Sequence, residues 1–254
     1  MSISYQSTKA LYDQSADRWV RGEATSLSDF TARPIVLGMC EPVVNARILD
    51  LGCGEGYCSR ELKRRGAAYI YGMDLSEGMI AAAQHQDSID HLGIEYEARC
   101  ATDLSHLADA SFDRVLAVFL FNYLTVEQMS QCMAEVARVL RPGGQFVFSV
   151  PHPAFPFMRG AEYPFYFEVG DAGYFSQRDR KFPGRIWKRD GSWLEVQLVH
   201  KPLETYFDSL RDAGFCTMPL VRELRVTPEH LQLDPAFFQP LSDYPLHLAL
   251  QVSR

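Results

Sequence analysis

The sequence lacks the residue patterns of metal-binding and disulfide-bonded proteins. Its six cysteines form no CxxC pair and no Cys/His cluster at zinc-binding spacing. They predict reduced thiols in a cytoplasmic protein without a bound metal. The longest apolar run, residues 115–121, is far shorter than the roughly 20 residues of a membrane-spanning helix. The first residues also lack the apolar stretch of a secretory signal peptide, so we expect no membrane partner.

Positive charge is also scarce. The 254 residues contain 25 Lys and Arg against 32 Asp and Glu, a formal net charge of −7 at pH 7. A nucleic-acid partner normally requires a basic face that neutralises phosphates, so this balance argues against one. The length predicts one main α/β unit with an added cap, large enough to bury a substantial core.

A glycine-rich loop follows the first predicted buried strand. Residues 48–56 read ILDLGCGEG, with Gly52, Gly54 and Gly56 at alternate positions and Asp50 two residues before the first glycine. Glycine permits positive φ and lets the backbone approach a ligand closely. A helix is predicted directly after the loop, with its free N–H groups directed at that ligand. This pattern indicates a nucleotide-type cofactor site.

Two details separate this loop from a dinucleotide-binding loop. The spacing is G-x-G-x-G instead of G-x-G-x-x-G. Asp50 would place a negative charge beside a pyrophosphate, whereas it suits a cationic ligand. Asp74, at the end of the next predicted strand, stands where an acid binds ribose hydroxyls, and a turn residue is the alternative. A nicotinamide-dependent oxidoreductase is therefore disfavoured.

Four segments together carry a family resemblance. Residues 50–56 are followed in order by 72–76 (GMDLS), 112–116 (FDRVL) and 140–148 (LRPGGQFVF). Their order and spacing resemble the class I methyltransferases that use S-adenosyl-L-methionine and release S-adenosyl-L-homocysteine. The resemblance covers residues 45–150 strongly and the C-terminal tail weakly. It implies a set of cofactor contacts, namely Tyr12, Asp50, Gly52, Cys53, Gly54, Asp74, Leu75, Cys100, Ala101, Thr102, Asp103 and Phe119.

The adenine contacts depart from the family pattern. Many relatives carry an acidic residue where Cys100 stands, and that acid accepts a hydrogen bond from the adenine amino group. A cysteine sulfur is a weak acceptor, so Asp103 or the backbone is a candidate for this role. A buried small hydrophobic residue is the alternative interpretation of Cys100.

Strand and helix patterns alternate after residue 46, which predicts a parallel sheet with helices on both faces. The resemblance implies a Rossmann-like, seven-stranded, mostly parallel sheet whose last strand is antiparallel. Strands are expected near residues 47–51, 68–73, 93–98, 113–119, 144–150, after Gly214, and 246–252. Helices are expected near residues 56–66, 77–87, 125–140 and 202–213.

Residues 1–44 are predicted to form an N-terminal lid of two helices. The pattern at Tyr12, Ala16 and Trp19 is similar to the N-terminal helix that many small-molecule methyltransferases fold over cofactor and acceptor. Tyr12 is therefore expected at the cofactor and Trp19 at the acceptor, with packing in the core as the alternative. The residues at near-helical spacing are Tyr5, Leu11, Tyr12, Ala16, Trp19 and Val20.

Residues 151–200 are predicted to form a cap inserted after the fifth strand, between the core segments 45–150 and 201–254. The insert is longer than an ordinary connection and holds 11 of the chain's 31 aromatic residues. Such a cap excludes water and holds a flat or apolar acceptor, with Phe155 and Tyr174 as candidate contacts. The alternatives are that the aromatic residues form the cap's own core or a dimer contact.

The cap also contains a hairpin signal, Asp190–Gly191, and a run of positive charge. Residues 176–190 hold six cations against two acids, so Arg178 is a candidate to bind a carboxylate or phosphate of the acceptor. A solvated hairpin face is the alternative.

Methyl transfer is an in-line displacement, so such an enzyme mainly aligns the reacting groups. His152, in a Pro-His-Pro segment just past the fifth strand, is a candidate general base, with a structural role in a rigid turn as the alternative. Asn122 and Tyr123, just past the fourth strand, are candidates to orient the acceptor. His200 is a further candidate contact of the acceptor.

We therefore predict an enzyme that transfers a methyl group from S-adenosylmethionine to a small, partly aromatic or apolar metabolite, at a heteroatom rather than at carbon. The unusual cap favours a role in secondary metabolism. The alternatives are protein or nucleic-acid methylation and a non-methylating S-adenosylmethionine-binding protein. A homodimer through the N-terminal helices or the cap stays open.

Overall fold

The structure is a computed structural model that describes residues 7–21, 23–158 and 161–254. Ten strands are present in the described part of the chain, and they form two sheets. The strands are β1 (Arg47–Leu51), β2 (Tyr69–Asp74), β3 (Glu95–Ala98), β4 (Phe112–Val118), β5 (Leu140–Pro151), β6 (Phe165–Phe167), β7 (Lys181–Trp187), β8 (Trp193–Val199), β9 (Leu220–Leu224) and β10 (His247–Ser253).

The central sheet has seven strands in the order β3-β2-β1-β4-β5-β10-β9. The strands β1 to β5 run parallel, and β10 is antiparallel to both neighbours. The prediction of a seven-stranded, mostly parallel sheet with an antiparallel last strand is confirmed. β5 begins at Leu140, earlier than expected, because Leu140 pairs with Phe112 of β4 ahead of a register shift between Phe112 and Arg114.

Helices cover both faces of this sheet, as predicted. The four core helices that were expected correspond to α5 to α8, and no helix of the described residues is long and apolar enough to cross a membrane. The helices are α1 (Thr8–Asp13), α2 (Ala16–Trp19), α3 (Leu27–Thr31), α4 (Arg33–Met39), α5 (Tyr57–Arg64), α6 (Glu77–Asp90), α7 (Val126–Val139), α8 (Leu203–Asp212), α9 (Pro228–Leu233) and α10 (Pro235–Phe238).

Two short helices near the C-terminus were not predicted. Both α9 and α10 begin at a proline, and each proline follows a capping residue, Thr227 or Asp234. Proline is favoured at the first helical position because it has no N–H group to leave unpaired. The sequence contains this signal, a capping residue followed directly by proline, at both positions.

The two faces of the central sheet bury separate apolar cores. Leu49 packs with residues of α7 and α8 on one face, and Ile48 packs with residues of α4, α5 and α6 on the other. Successive strand residues point to opposite faces, so a strand buried on both sides reads as a continuous apolar run. Packing on both faces fixes the strands, whose carboxyl ends lie at one edge of the sheet because β1 to β5 are parallel.

The N-terminal segment contains four short helices, so the expectation of two helices was wrong. α1 and α2 are separated at Gln14 and Ser15, and a capping box between Ser26 and Asp29 begins α3. Pro34 lies in the first turn of α4. Tyr5 lies outside the described residues.

The cap is a three-stranded antiparallel sheet in the order β6-β7-β8. β7 and β8 form the predicted hairpin around Asp190 and Gly191. The buried face of this sheet shares one core with Leu27 and with residues between 226 and 246. The cap core therefore continues into segments that lie outside the predicted cap boundaries.

Asp29 is the centre of a buried ion-pair network. Its carboxylate accepts hydrogen bonds from Arg21 and Arg33, both at 2.7 Å. Arg21 also pairs with Glu55 of the glycine-rich loop at 2.9 Å. Burial opposes the charge of Asp29, but the two guanidinium groups outweigh it and lower the pKa of Asp29 to about 2. The network ties the N-terminal segment to the loop.

The variant Asp29→Ala should lower the free energy of unfolding by roughly 3–5 kcal/mol, because it leaves the buried Arg33 without its carboxylate partner. Asp208→Ala removes an exposed ion pair with Arg211 and should change the free energy of unfolding by less than about 0.5 kcal/mol. Urea unfolding at neutral pH measures both values. Equal effects of the two substitutions would contradict the role of the network.

The same carboxylate predicts a pH dependence. The pKa of Asp29 is about 2 in the folded protein, below the unfolded value of about 3.9. Its contribution to stability is therefore complete above about pH 4 and is lost as the pH falls toward 2. Stability measured from pH 5 down to pH 2 should fall less steeply in Asp29→Ala than in the parent protein, and equal slopes would count against the assignment.

Candidate functional site

A cavity of about 480 Å³ lies where the carboxyl ends of β1, β2 and β4 meet, beneath the N-terminal helices and the cap. This is the edge at which open α/β sheets bind ligands. Its volume is within the range of small-molecule sites, roughly 300–1,000 Å³. The predicted site residues in its wall are Tyr12, Trp19, Asp50, Gly52, Cys53, Gly54, Asp74, Leu75, Cys100, Ala101, Phe119, Asn122 and Tyr123.

The glycine-rich loop is fixed to the end of β2 by backbone hydrogen bonds. The N–H groups of Gly52 and Cys53 donate to the Met73 carbonyl at 2.7 and 2.9 Å. The N–H group of Gly54 donates to Asp74 Oδ2 at 3.0 Å. Gly52 has a φ of +69°, the left-handed region that glycine adopts without a Cβ penalty. The loop is therefore a rigid part of the cavity wall.

Two carboxylates, Asp50 and Asp74, lie in this wall. Asp50 is 1% exposed, and its Oδ2 accepts a hydrogen bond from Ser59 Oγ at 2.6 Å. Burial raises the pKa of Asp50 to about 7, the Asp74 carboxylate adds to this effect, and burial also raises the pKa of Asp74. A cation beside them would restore the ionised forms. The described residues contain no group of three His, Cys, Asp or Glu side chains that could hold a metal ion.

Arg33 brings a positive charge to the same cavity. Its Nη1 donates to Ser28 Oγ at 2.6 Å, and its guanidinium lies over the Phe119 ring, 5.6 Å from the centroid. Phe119 follows β4 with a φ of +58°, which is rare for a bulky residue. Such conformations cluster at ligand sites. Sequence reasoning missed Arg33, and no motif in the sequence marks it.

The N-terminal helices contribute two aromatic residues to the cavity. The Tyr12 hydroxyl hydrogen-bonds with the Tyr123 hydroxyl, and the Tyr12 ring lies 5.5 Å from the Trp19 ring. Asn122 Nδ2 donates to the Gln197 carbonyl of the cap at 3.4 Å. The buried Asn122 Oδ1 has no partner among the described residues. The lid, the end of β4 and the cap therefore meet at one wall.

The cap supplies the apolar wall of the cavity. Lys181, at the start of β7, also reaches the cavity, and its Nζ donates to Gln197 Oε1 at 3.1 Å. Arg178 is exposed and lies outside the cavity wall, so the structure does not support it as an acceptor contact. The apolar cap residues of the wall are Phe165, Phe167, Ile186, Val196 and Val199.

His247, the first residue of β10, also lines the cavity. Its ring packs against Phe119 and Phe165 at centroid distances of 5.0 and 5.7 Å. Burial lowers the pKa of His247 to about 3, with Arg33 and His152 adding to the effect, so the imidazole is neutral. Sequence reasoning missed His247 because its strand carries no motif.

His152, the predicted base, does not line the cavity. Its Nδ1 accepts a hydrogen bond from the Ala154 N–H at 3.2 Å, so its Nε2 carries the proton and donates to Glu223 Oε1 at 3.1 Å. Both nitrogens are engaged. The structure therefore places His152 in the structural turn that was its alternative role.

Two predicted adenine contacts also lie outside the wall. Cys100 and Ala101 line the cavity, whereas Thr102 and Asp103 do not. Asp103 accepts a hydrogen bond from Ser105 Oγ at 2.6 Å in an exposed turn, which directs its carboxylate elsewhere. Of the alternatives for the missing acidic residue, the backbone is the one that this geometry favours.

Phe155, Tyr174 and His200 lie in the cap, away from the cavity wall. Phe155 is buried in the cap core and stacks on Phe165, with a centroid distance of 4.9 Å. His200 Nε2 donates to the Tyr174 carbonyl at 2.8 Å, in a separate aromatic cluster. For these three residues the structure favours packing within the cap over contact with an acceptor.

Comparison with known proteins gives the class of the chain. A family model described as a methyltransferase domain matches residues 48–144. A solved structure of an S-adenosylmethionine-dependent methyltransferase from Mesorhizobium loti is 29% identical, with a TM-score of 0.64, and the match covers 87% of this chain and 96% of that one. These matches identify residues 48–144 as a methyltransferase domain and the fold as that of class I S-adenosylmethionine-dependent methyltransferases.

Two further matches show how far this likeness extends. The ubiquinone biosynthesis O-methyltransferase of Neisseria meningitidis serogroup A is 29% identical over 146 residues, which cover 55% of this chain and 60% of that protein. The chain thus spans less than two thirds of this relative's length. The structure of the [4+2]-cyclase SpnF has a TM-score of 0.63 and covers 97% of this chain and 94% of its own, but at 16% identity the likeness is one of fold alone.

The raised pKa of Asp50 predicts a gain in stability on its removal. The pKa of about 7 in the folded protein exceeds the unfolded value of about 3.9, so stability falls as the pH rises from about 4 to 7. In the ligand-free protein, Asp50→Asn should therefore raise the melting temperature at pH 8, and the gain should shrink at pH 5. Asp103→Asn, at an exposed carboxylate, should give no gain. A destabilised Asp50→Asn at pH 8 would refute the assignment.

Proposed function

We propose that this protein binds S-adenosylmethionine in the cavity and transfers its methyl group to a small, partly aromatic or apolar molecule held under the cap. The observation that carries this proposal is one continuous cavity that joins the loop and acids of the motif to the apolar wall of the cap. Donor and acceptor need such a shared space, because in-line displacement requires the reacting atoms within about 3–3.5 Å.

The charges in the cavity fit the cofactor. Asp50 forms no ion pair within the described part of the chain, and its buried carboxylate matches a sulfonium or ammonium group. Arg33 hydrogen-bonds to the described residues through Nη1 alone, which leaves its other nitrogens for the carboxylate of the methionine part. Asp74 matches the ribose hydroxyls, and Cys100 and Ala101 match the edge of the adenine.

The protein's own contribution to the reaction is position, charge and exclusion of water. Bound S-adenosylmethionine supplies an electrophilic methyl group on a sulfonium. Tyr12 and Trp19 line the cavity on the N-terminal side, and cap residues form its apolar wall. A largely apolar site strengthens the electrostatic interactions inside it and limits the access of water that would compete with the acceptor.

The acceptor is proposed to be a small molecule methylated at a heteroatom. A macromolecular acceptor is disfavoured because the lid and the cap cover the cavity and the net charge of the chain is −7. The Neisseria relative is an O-methyltransferase by name, which supports oxygen as the methylated atom. A role in secondary metabolism rests on the size of the cap alone and stays a prediction, as do a cytoplasmic location and a homodimer.

The proposal is tested by calorimetric titration of the protein with S-adenosylmethionine, S-adenosylhomocysteine and NAD in parallel. We expect saturable binding of the first two and none of NAD. Transfer of radiolabelled methyl groups to a panel of small aromatic alcohols, amines and acids then tests the reaction. Binding of NAD alone would contradict the proposal, and cofactor binding without methyl transfer to any acceptor would favour a non-methylating protein.

Asp74→Asn should weaken the binding of S-adenosylhomocysteine roughly 5- to 150-fold, equivalent to about 1–3 kcal/mol. The substitution removes an acceptor of ribose hydroxyls and disturbs the bond from the Gly54 N–H. Asp109→Asn changes an exposed carboxylate that pairs with Arg138 and serves as the matched control. Unchanged affinity in Asp74→Asn would remove Asp74 from the cofactor site.

A further inference from the structure

His247, like Trp19 Nε1 and Asn122 Oδ1, is a polar group of the cavity wall without a hydrogen-bond partner among the described residues. It is 1% exposed, and neither of its ring nitrogens has a hydrogen-bond partner among the described residues. A buried donor or acceptor left without a partner costs about 1–3 kcal/mol. Native structures contain few such groups, so each one requires a reason. For a residue in a cavity wall, a ligand atom is the natural partner.

The contacts around the His247 ring hold it in place but give its nitrogens no hydrogen bonds. Phe119 and Phe165 pack against the imidazole, and both residues also line the cavity. His152 lies near enough to affect the pKa of His247, but its two nitrogens already bond to Ala154 and Glu223. The ring is therefore oriented by aromatic packing, and its nitrogens remain available.

The charges around His247 determine what it can bind. Arg33 and His152 are the titratable groups that influence it, and none of the described carboxylates forms an ion pair with it. The imidazole therefore stays neutral, with one nitrogen that accepts and one that donates. A neutral acceptor beside a guanidinium suits an uncharged hydroxyl group better than an ammonium group, because Arg33 would repel the cation.

We infer that His247 contacts the methyl acceptor directly and that its imidazole accepts a hydrogen bond from a hydroxyl group on a flat, apolar molecule. The inference rests on the proposed function and narrows it from a small apolar acceptor to one that bears a hydroxyl. The hydrogen bond orients the oxygen within the cavity, and the apolar cap residues hold the body of the acceptor. His247 thereby stands beside the acceptor, where the sequence predicted His152 as a candidate general base.

The test uses phenol and toluene, which have nearly the same shape and differ in carrying a hydroxyl group or a methyl group at the same position of the ring. The affinities of both probes for the S-adenosylhomocysteine complex are measured by NMR titration in the parent protein, His247→Phe and His152→Phe. We expect the ratio of phenol to toluene affinity to fall about 5- to 10-fold in His247→Phe, the worth of one neutral hydrogen bond. His152→Phe should leave the ratio unchanged. An unchanged ratio in His247→Phe would overturn the inference.

A second measurement needs no variant and covers the case in which His247→Phe fails to fold. The ¹⁵N signals of the His247 ring in the parent complex should shift on addition of phenol and stay constant on addition of toluene. Equal responses, or no binding of phenol, would overturn the inference. A protein that does not bind S-adenosylhomocysteine contradicts the proposed function itself, whereas cofactor binding without a response of His247 contradicts only this inference.

Discussion

The cavity depends on the buried charge network that links Asp29 to Glu55. Arg21 hydrogen-bonds to both acids, at 2.7 and 2.9 Å, and Arg60 pairs with Glu55 at 2.7 Å. Asp29 lies in the N-terminal segment and Glu55 in the glycine-rich loop, so the network joins lid and loop. The N-terminal helices have four to seven residues each, too short to be stable in isolation. Buried ions tolerate few alternative partners, and the network therefore determines where the lid sits.

The acids of the cavity and most of its apolar wall come from different elements. Asp50 lies near the end of β1, Asp74 ends β2, Arg33 lies beside Phe119, and the cap contributes most of the apolar side chains. A charged cofactor and a flat, apolar acceptor can therefore bind in one cavity, each in contact with the groups that match its own polarity. The buried carboxylate of Asp50 lowers the stability of the protein when no cation lies beside it. Binding sites commonly lower the stability of the empty protein in this way.

The sequence predicted the parts of the site that local motifs encode. The loop from Asp50 to Gly54 and the acid Asp74 lie in the cavity wall because each ends a strand, and parallel strands end at a common edge. Arg33 and His247 reach the same wall through tertiary packing, one from a short helix and the other from the last strand. No local pattern encodes such contacts.

His152 shows that position along the chain does not by itself predict which side chain reaches the cavity. It follows β5, as expected, but its N–H donates to the Leu246 carbonyl at 2.9 Å, and its ring turns toward Glu223 on β9. The antiparallel insertion of β10 beside β5 brings in His247 at the cavity instead. The resemblance implied this insertion, but the direction of a side chain in a Pro-His-Pro turn depends on neighbours that are distant in sequence.

A crystal structure of the S-adenosylhomocysteine complex tests the central claim most directly. The account predicts the adenosyl group beside Asp74 and Cys100, the homocysteine carboxylate at Arg33, and free space between the sulfur and the cap wall that includes His247. An adenosyl group under the cap, or a ligand bound outside this cavity, would contradict it.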